Sequence, residues 1–169
     1  DIHQRLKEAI RGSRFAGDPL VPCLAFYALT SRLLNRPLNL YLNSPSSAGK
    51  SYVVEVALNF IPESQYHMSA SLSPRALIYD GDGDEYIFEN KAIVLMEADS
   101  ILQIDDGGVA TFFRELVEAK PGRPITHRVV VPQASGPPRT AAISKFGPVA
   151  LITTGTHSLP EQLSTRCWE

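Results

Sequence analysis

The stretch Ser44-Pro45-Ser46-Ser47-Ala48-Gly49-Lys50-Ser51 restricts what this chain can fold into more than any other. It closes on Gly-Lys-Ser, the end of the phosphate-loop rule G-x-x-x-x-G-K-[ST], which requires a strand before it and a helix after it. Both are expected here. Leu38 to Asn43 alternates apolar and polar residues as a strand does, and Lys50 to Phe60 reads as a helix stopped by Pro62. In such a loop the backbone N–H groups and the helix N-terminus face phosphate oxygens. Lys50 would neutralise the β- and γ-phosphates of a nucleotide, and the Ser51 hydroxyl would ligate Mg²⁺. The nucleotide-binding set is therefore Ser44, Pro45, Ser46, Ser47, Ala48, Gly49, Lys50, Ser51 and the adjoining Tyr52. Ser44 stands where the rule has its first glycine, which works only if its backbone angles suit the turn.

Phosphate chemistry also needs a carboxylate near the metal, and open α/β sheets bring ligands to the C-terminal ends of their strands. The run Lys91-Ala-Ile-Val-Leu-Met96 reads as a strand covered on both faces, and Glu97 ends it, with Asp99 close behind. Glu97 is the principal acid expected, as a metal-side ligand through water or as the base that activates water. Ala98 follows it, so the usual Asp-Glu pair is missing and the two roles stay open. Asp80-Gly-Asp-Gly-Asp84 superficially suggests a calcium loop. However, Glu85 and Lys91 occupy the positions where that loop needs glycine and glutamate, so an acidic turn is expected.

Strands alternating with helices predict an α/β fold with a parallel sheet flanked by helices. Residues 1–36 are expected as a helical segment packed on a core of residues 37–169. Its first helix covers about 1–15, on the spacing of Ile2, Leu6 and Ile10, and its second runs from about Asp18 or Pro19 to Leu34. Later elements are a strand at 66–69, a short helix from Ser73, and a helix from Val109 to Ala119. Strands at 125–131 and 140–144 would form a hairpin, followed by a strand at 149–153 and a short helix at 159–164.

Hydrophobic residues are 44% of the chain and charged residues 20%, as in ordinary folded domains. No apolar run approaches the roughly 20 residues of a membrane span. With no signal-peptide core at the N-terminus, a cytoplasmic location is the default expectation. Cys23 and Cys167 are expected as free thiols, and His3, His67, His127 and His157 lack zinc-ligand spacing. The absence of an initial methionine and the stop at Glu169 suggest a piece of something longer.

The net charge of −2 conceals a division. Acids dominate from Asp80 to Asp106, opposed only by Lys91. From Lys120 to Lys145 there are only bases: Lys120, Arg123, Arg128, Arg139 and Lys145. A basic stretch of this kind suits a polyanion.

From Leu38 onward the chain resembles AAA+ ATPases, and most closely the helicase-like ATPases associated with primases and replication proteins of phages, plasmids and other mobile elements. The features that carry the resemblance are Ser-Pro-Ser-Ser-Ala-Gly-Lys-Ser51, the downstream Ala-Leu-Ile-Tyr79, and Asn90-Lys-Ala-Ile-Val-Leu-Met-Glu97. Thr153-Thr154-Gly-Thr156 is similar to the sensor 1 segment, which implies that Thr154, or else Thr153, touches the γ-phosphate or the attacking water. Leu163-Ser-Thr-Arg-Cys167 is similar to the Ser-Arg-Cys box, which implies that Arg166 is an arginine finger acting on a neighbouring subunit. The hairpin would be an insertion before the sensor 1 strand, touching DNA in a ring's channel through the five bases.

The resemblance thus implies ATP and Mg²⁺ as ligands and a homo-oligomeric ring on single-stranded DNA, without sequence preference and with primase or other replication proteins as partners. Its catalytic set would be Lys50, Glu97, Thr154 and Arg166. Two rivals stand beside it: a small-molecule or nucleoside kinase, and a nucleotide-switched assembly module with little turnover.

Overall fold

Among the described residues, four short strands form one parallel sheet: β1 (Leu40–Asn43), β2 (Tyr66–Ser69), β3 (Ala92–Leu95) and β6 (Ala150–Gly155). Their order across the sheet is β1-β6-β3-β2. The last strand in sequence therefore lies between the strand that enters the phosphate loop and the strand that leads to Glu97. Leu42 is level with Thr154, and Val94 with Ile152. The computed structural model describes residues 1–69, 79, 81, 83–96, 109–131, 138–158 and 165–168.

The period of two along each strand sorts the sheet's side chains onto two faces. Leu40, Ala92, Val94, Ala150 and Ile152 are buried against Ala25, Ala28 and Leu29 of α2 (Leu20–Thr30) and Val54, Ala57 and Leu58 of α3 (Lys50–Leu58). Ile93, Leu95, Val149 and Leu151 meet Phe88 and, on α4 (Val109–Val117), Leu116 and Val117. Burial on both faces is why β3 and the stretch of residues 149–152 that opens β6 read as apolar runs, and each fully buried aliphatic contributes about 1.5–3 kcal/mol relative to exposure.

α1 (Ile2–Gly12) is capped by Asp1, whose carboxylate accepts from the His3 N–H at 3.0 Å. Its Leu6 and Ile10 pack with Cys23 of α2 and Val56 of α3. α2 ends earlier than its apolar pattern predicts. The Ser31 hydroxyl donates to the Ala28 carbonyl at 2.6 Å and accepts from the Leu38 N–H at 2.7 Å, so a 3-10 turn at Ser31–Leu33 replaces further helix.

β4 (Pro124–Val131) and β5 (Arg139–Phe146) form a separate antiparallel hairpin between α4 and β6. It is longer at its base than the sequence suggests, because Pro124 pairs with Phe146. The Phe146 N–H donates to the Glu85 carbonyl at 2.8 Å, and its ring stacks on Tyr86 with centroids 4.5 Å apart. Gly147 then passes so close to α4 that a Cβ there would lie 2.6 Å from the Ala119 Cβ and 2.8 Å from the Leu116 carbonyl oxygen.

The short helices expected near residues 73–77 and 159–164 lie outside the described residues, as do Asp80 and Asp82 of the acidic turn. Among the described residues no helix is long and apolar enough to cross a membrane.

Candidate functional site

β1 ends at Asn43, and the chain turns through residues 44–49 into α3. Gly49 caps the helix with φ +80°, a left-handed conformation that a side chain disfavours. Ser47 supplies the loop's second positive φ, +65°. Ser44 is not among the residues with positive φ, so the backbone makes no demand for glycine there. The first intrahelical bond of α3 runs from the Val53 N–H to the Gly49 carbonyl at 3.0 Å. The N–H groups of Lys50, Ser51 and Tyr52 precede it and have no helical acceptor, which is the basis of anion binding at such an end.

The Lys50 ammonium donates to the carbonyls of Ser44 and Pro45, the latter at 2.8 Å. It is thus held over the loop. Beside it opens a cleft of about 660 Å³, lined by residues 46–52, Glu55, Met96, Thr154, Gly155 and Thr156. Three elements meet there: the phosphate loop with α3, the end of β6, and the exit of β3. Tyr52 is half exposed at its rim, and its ring centroid lies 5.7 Å from that of Phe15.

Thr154 and Thr153 separate by strand alternation. Thr154 lines the cleft and its buried hydroxyl donates to the Met96 carbonyl, the peptide that leads to Glu97. Thr153 is equally buried, but among the described residues its hydroxyl oxygen has no hydrogen-bond partner. Glu97, Ala98 and Asp99 lie outside the described residues; Met96, immediately before them, reaches the cleft. Sequence reasoning passed over Glu55 and Thr156 in this lining. Glu55 follows Ser51 by four residues on α3, a spacing that puts both on one helix face. Thr156, whose hydroxyl lies 3.0 Å from His157 Nδ1, had only its place in the Thr-Thr-Gly-Thr run as a signal.

The five bases expected to touch DNA do not form one patch. Lys120 and Arg123 are exposed in the turn between α4 and β4, while Arg139 pairs with Val131 at the other end of the hairpin, roughly 24 Å away along the strand. Arg128 is exposed on the outer face with Thr126 and Val130. Lys145 requires a correction. Its register with Ile125 puts it on the inner face, where it is 1% exposed, donates to the Asp84 carbonyl at 2.8 Å and lies 5.9 Å from the Phe88 ring centroid. It anchors the hairpin and is not placed to meet a phosphate backbone.

Arg166 lies at the opposite end of β1 from the phosphate loop. Its carbonyl accepts from Asn39 Nδ2 at 3.2 Å, and Trp168 runs beside Leu40, exchanging 2.8 Å backbone bonds with Asn39 and Tyr41. The Arg166 Nε donates to the Glu118 carboxylate. Burial pushes the Cys167 thiol up to about 11 against the opposing pull of Arg166, so the thiol stays protonated near neutral pH.

The sequence matches no protein-family model and no curated protein. Among solved structures, a crystal structure of JCV helicase with a bound small molecule aligns with 86% of this chain at 14% identity and a TM-score of 0.39. The chain spans 38% of the length of that helicase chain. A likeness this distant decides neither fold nor function.

Proposed function

We propose that this chain is an AAA+-like ATPase domain, the nucleotide-driven motor of a DNA helicase or primase-helicase. The observation that carries the reading is the cleft where the phosphate loop, Thr154 and the exit of β3 converge. The residues fit a nucleoside triphosphate: α3 offers free N–H groups, Gly49 has no Cβ in the way, and Lys50 carries its charge at the loop. Ser51 and Glu97 would hold Mg²⁺, which supplies charge neutralisation on the phosphates when bound.

In this reading Lys50 and the loop orient the γ-phosphoryl group for in-line attack by water. Glu97 acts on metal or water. Thr154, tied to the peptide before Glu97, couples that strand exit to the nucleotide. Arg166 stabilises developing charge on the nucleotide of the adjacent copy in a ring. Arg128, Arg139, Lys120 and Arg123 grip single-stranded DNA through its backbone, with little aromatic interleaving for base stacking.

The test is phosphate release from ATP, with and without single-stranded DNA, across protein concentration. Turnover that rises with DNA and concentration, and disappears in Lys50→Ala, Glu97→Gln and Arg166→Ala, is the expected result. ATP binding without release, even when assembled on DNA, would sink the motor reading. It would favour a nucleotide-switched module, for which Ala98 beside Glu97 is the specific observation.

A further inference from the structure

We propose that Glu118 is the positioning residue for Arg166, holding its guanidinium so that it meets the nucleotide of a neighbouring copy. This rests on the trans-acting role proposed for Arg166. It begins from the polarity of β1. Arg166 is fixed at the level of Asn39, whereas the phosphate loop starts beyond Asn43. The intervening strand is about 13 Å long, more than an arginine side chain spans. Arg166 therefore cannot serve its own loop, and any phosphate it reaches belongs to another molecule.

Its backbone is well held. Asn39 bridges two segments, with Oδ1 accepting from the Leu151 N–H at 2.9 Å and Nδ2 donating to the Arg166 carbonyl. A long side chain on that fixed backbone still has many rotamers, and freezing them at the moment of reaction is costly. Glu118 restricts them beforehand. It stands at the C-terminal end of α4, where its N–H still bonds the Arg114 carbonyl at 3.0 Å, and Leu116 and Val117 root that turn in the core. Its carboxylate takes the Nε of Arg166, the guanidinium nitrogen that does not belong to the terminal fork. Glu118 is also the carboxylate of a cleft of about 700 Å³ whose charged lining otherwise consists of Arg36 and Lys120.

The pair is half open to solvent, so it adds little to stability. A role in positioning and a role in folding are thus separable. The experiment mixes two crippled subunits. Lys50→Ala copies offer Arg166 but have a broken loop, while Arg166→Ala copies have a sound loop but no finger. Together they are expected to recover ATP turnover that neither shows alone. Glu118→Ala placed in the Lys50→Ala copies is expected to lower the recovered rate about tenfold. Placed in the Arg166→Ala copies, where Glu118 has no arginine to hold, it is expected to change nothing. Glu118→Gln in the Lys50→Ala copies keeps an acceptor for Nε and should restore most of the loss, with melting temperatures unchanged throughout.

An equal effect in both kinds of copy, no effect in the Lys50→Ala copies, or a gain there would overturn the proposal while leaving the trans arginine intact. Failure of the parent mixture to recover turnover, with wild type active, would overturn the trans role of Arg166 and the proposal with it.

Discussion

The cleft beside the phosphate loop and the basic hairpin were assembled from sequence in different ways, and they behave differently in space. The cleft draws most of its lining from one unbroken run, residues 46–52. There a strand-loop-helix unit carries the geometry locally. The hairpin's cations were grouped by charge over 26 residues of chain, from Lys120 to Lys145. Strand alternation and strand length then scatter them: one is buried at the base, one lies on the outer face and one at the far end. A contiguous motif survives folding as a set because its residues share one turn. A stretch of like charge does not, because each strand step reverses the side chain's direction.

The largest effect that would break this comparison lies in the cleft. Lys50→Ala is expected to lower ATP turnover by about 10²–10³-fold, measured as phosphate release, while the protein stays folded by circular dichroism. Retained turnover would separate the loop from the chemistry.

The next largest distinguishes a buried cation from exposed ones. Lys145→Ala is expected to destabilise the fold by about 1–3 kcal/mol in urea titration, since the Asp84 carbonyl loses its donor, and to leave the salt dependence of single-stranded DNA binding unchanged. Arg128→Ala and Arg139→Ala should do the reverse. Each should leave stability within about 0.5 kcal/mol and reduce the salt slope by about one charge contact. A reduced slope for Lys145→Ala would show that it reaches phosphate.

A smaller contrast lies within the loop itself. Gly49→Ala is expected to cost about 1–2 kcal/mol because φ is +80°, although nothing lies within 4 Å of the added Cβ. Ser44→Gly, at a position with no positive φ, should change stability by less than about 1 kcal/mol and leave ATP affinity intact. Denaturant melts and nucleotide titration of the two variants check the pair together.

Much of the fold was legible in the chain. The apolar run at Ala92 to Met96 and the one from Val149 announced strands buried on both faces, and the Gly49-Lys50-Ser51 tail marked where β1 must end and α3 begin. Boundaries were less legible where a side chain competed with the backbone, as Ser31 does at the end of α2. The site was legible in its loop and less so in its other walls. Glu55 enters the lining through helical spacing, and Met96 and Thr156 enter through strand register.

Charge alone does not place Lys145. The alternation Ile143-Ser144-Lys145 already put it on the same face as an isoleucine, though only the docking of the hairpin on Asp84, Glu85 and Tyr86 makes that face an interior one.

By itself the sequence determined the local units: the phosphate loop with its flanking strand and helix, the apolar strands, and the hairpin between α4 and β6. These follow from short-range rules of spacing, backbone angle and burial that hold wherever the unit ends up. The tertiary structure alone decided which units meet. It set β6 between β1 and β3, tied Thr154 to the peptide before Glu97, and put Arg166 at the far end of β1 against Glu118. Those placements depend on how two faces of one sheet are covered at once, and no local pattern carries that information.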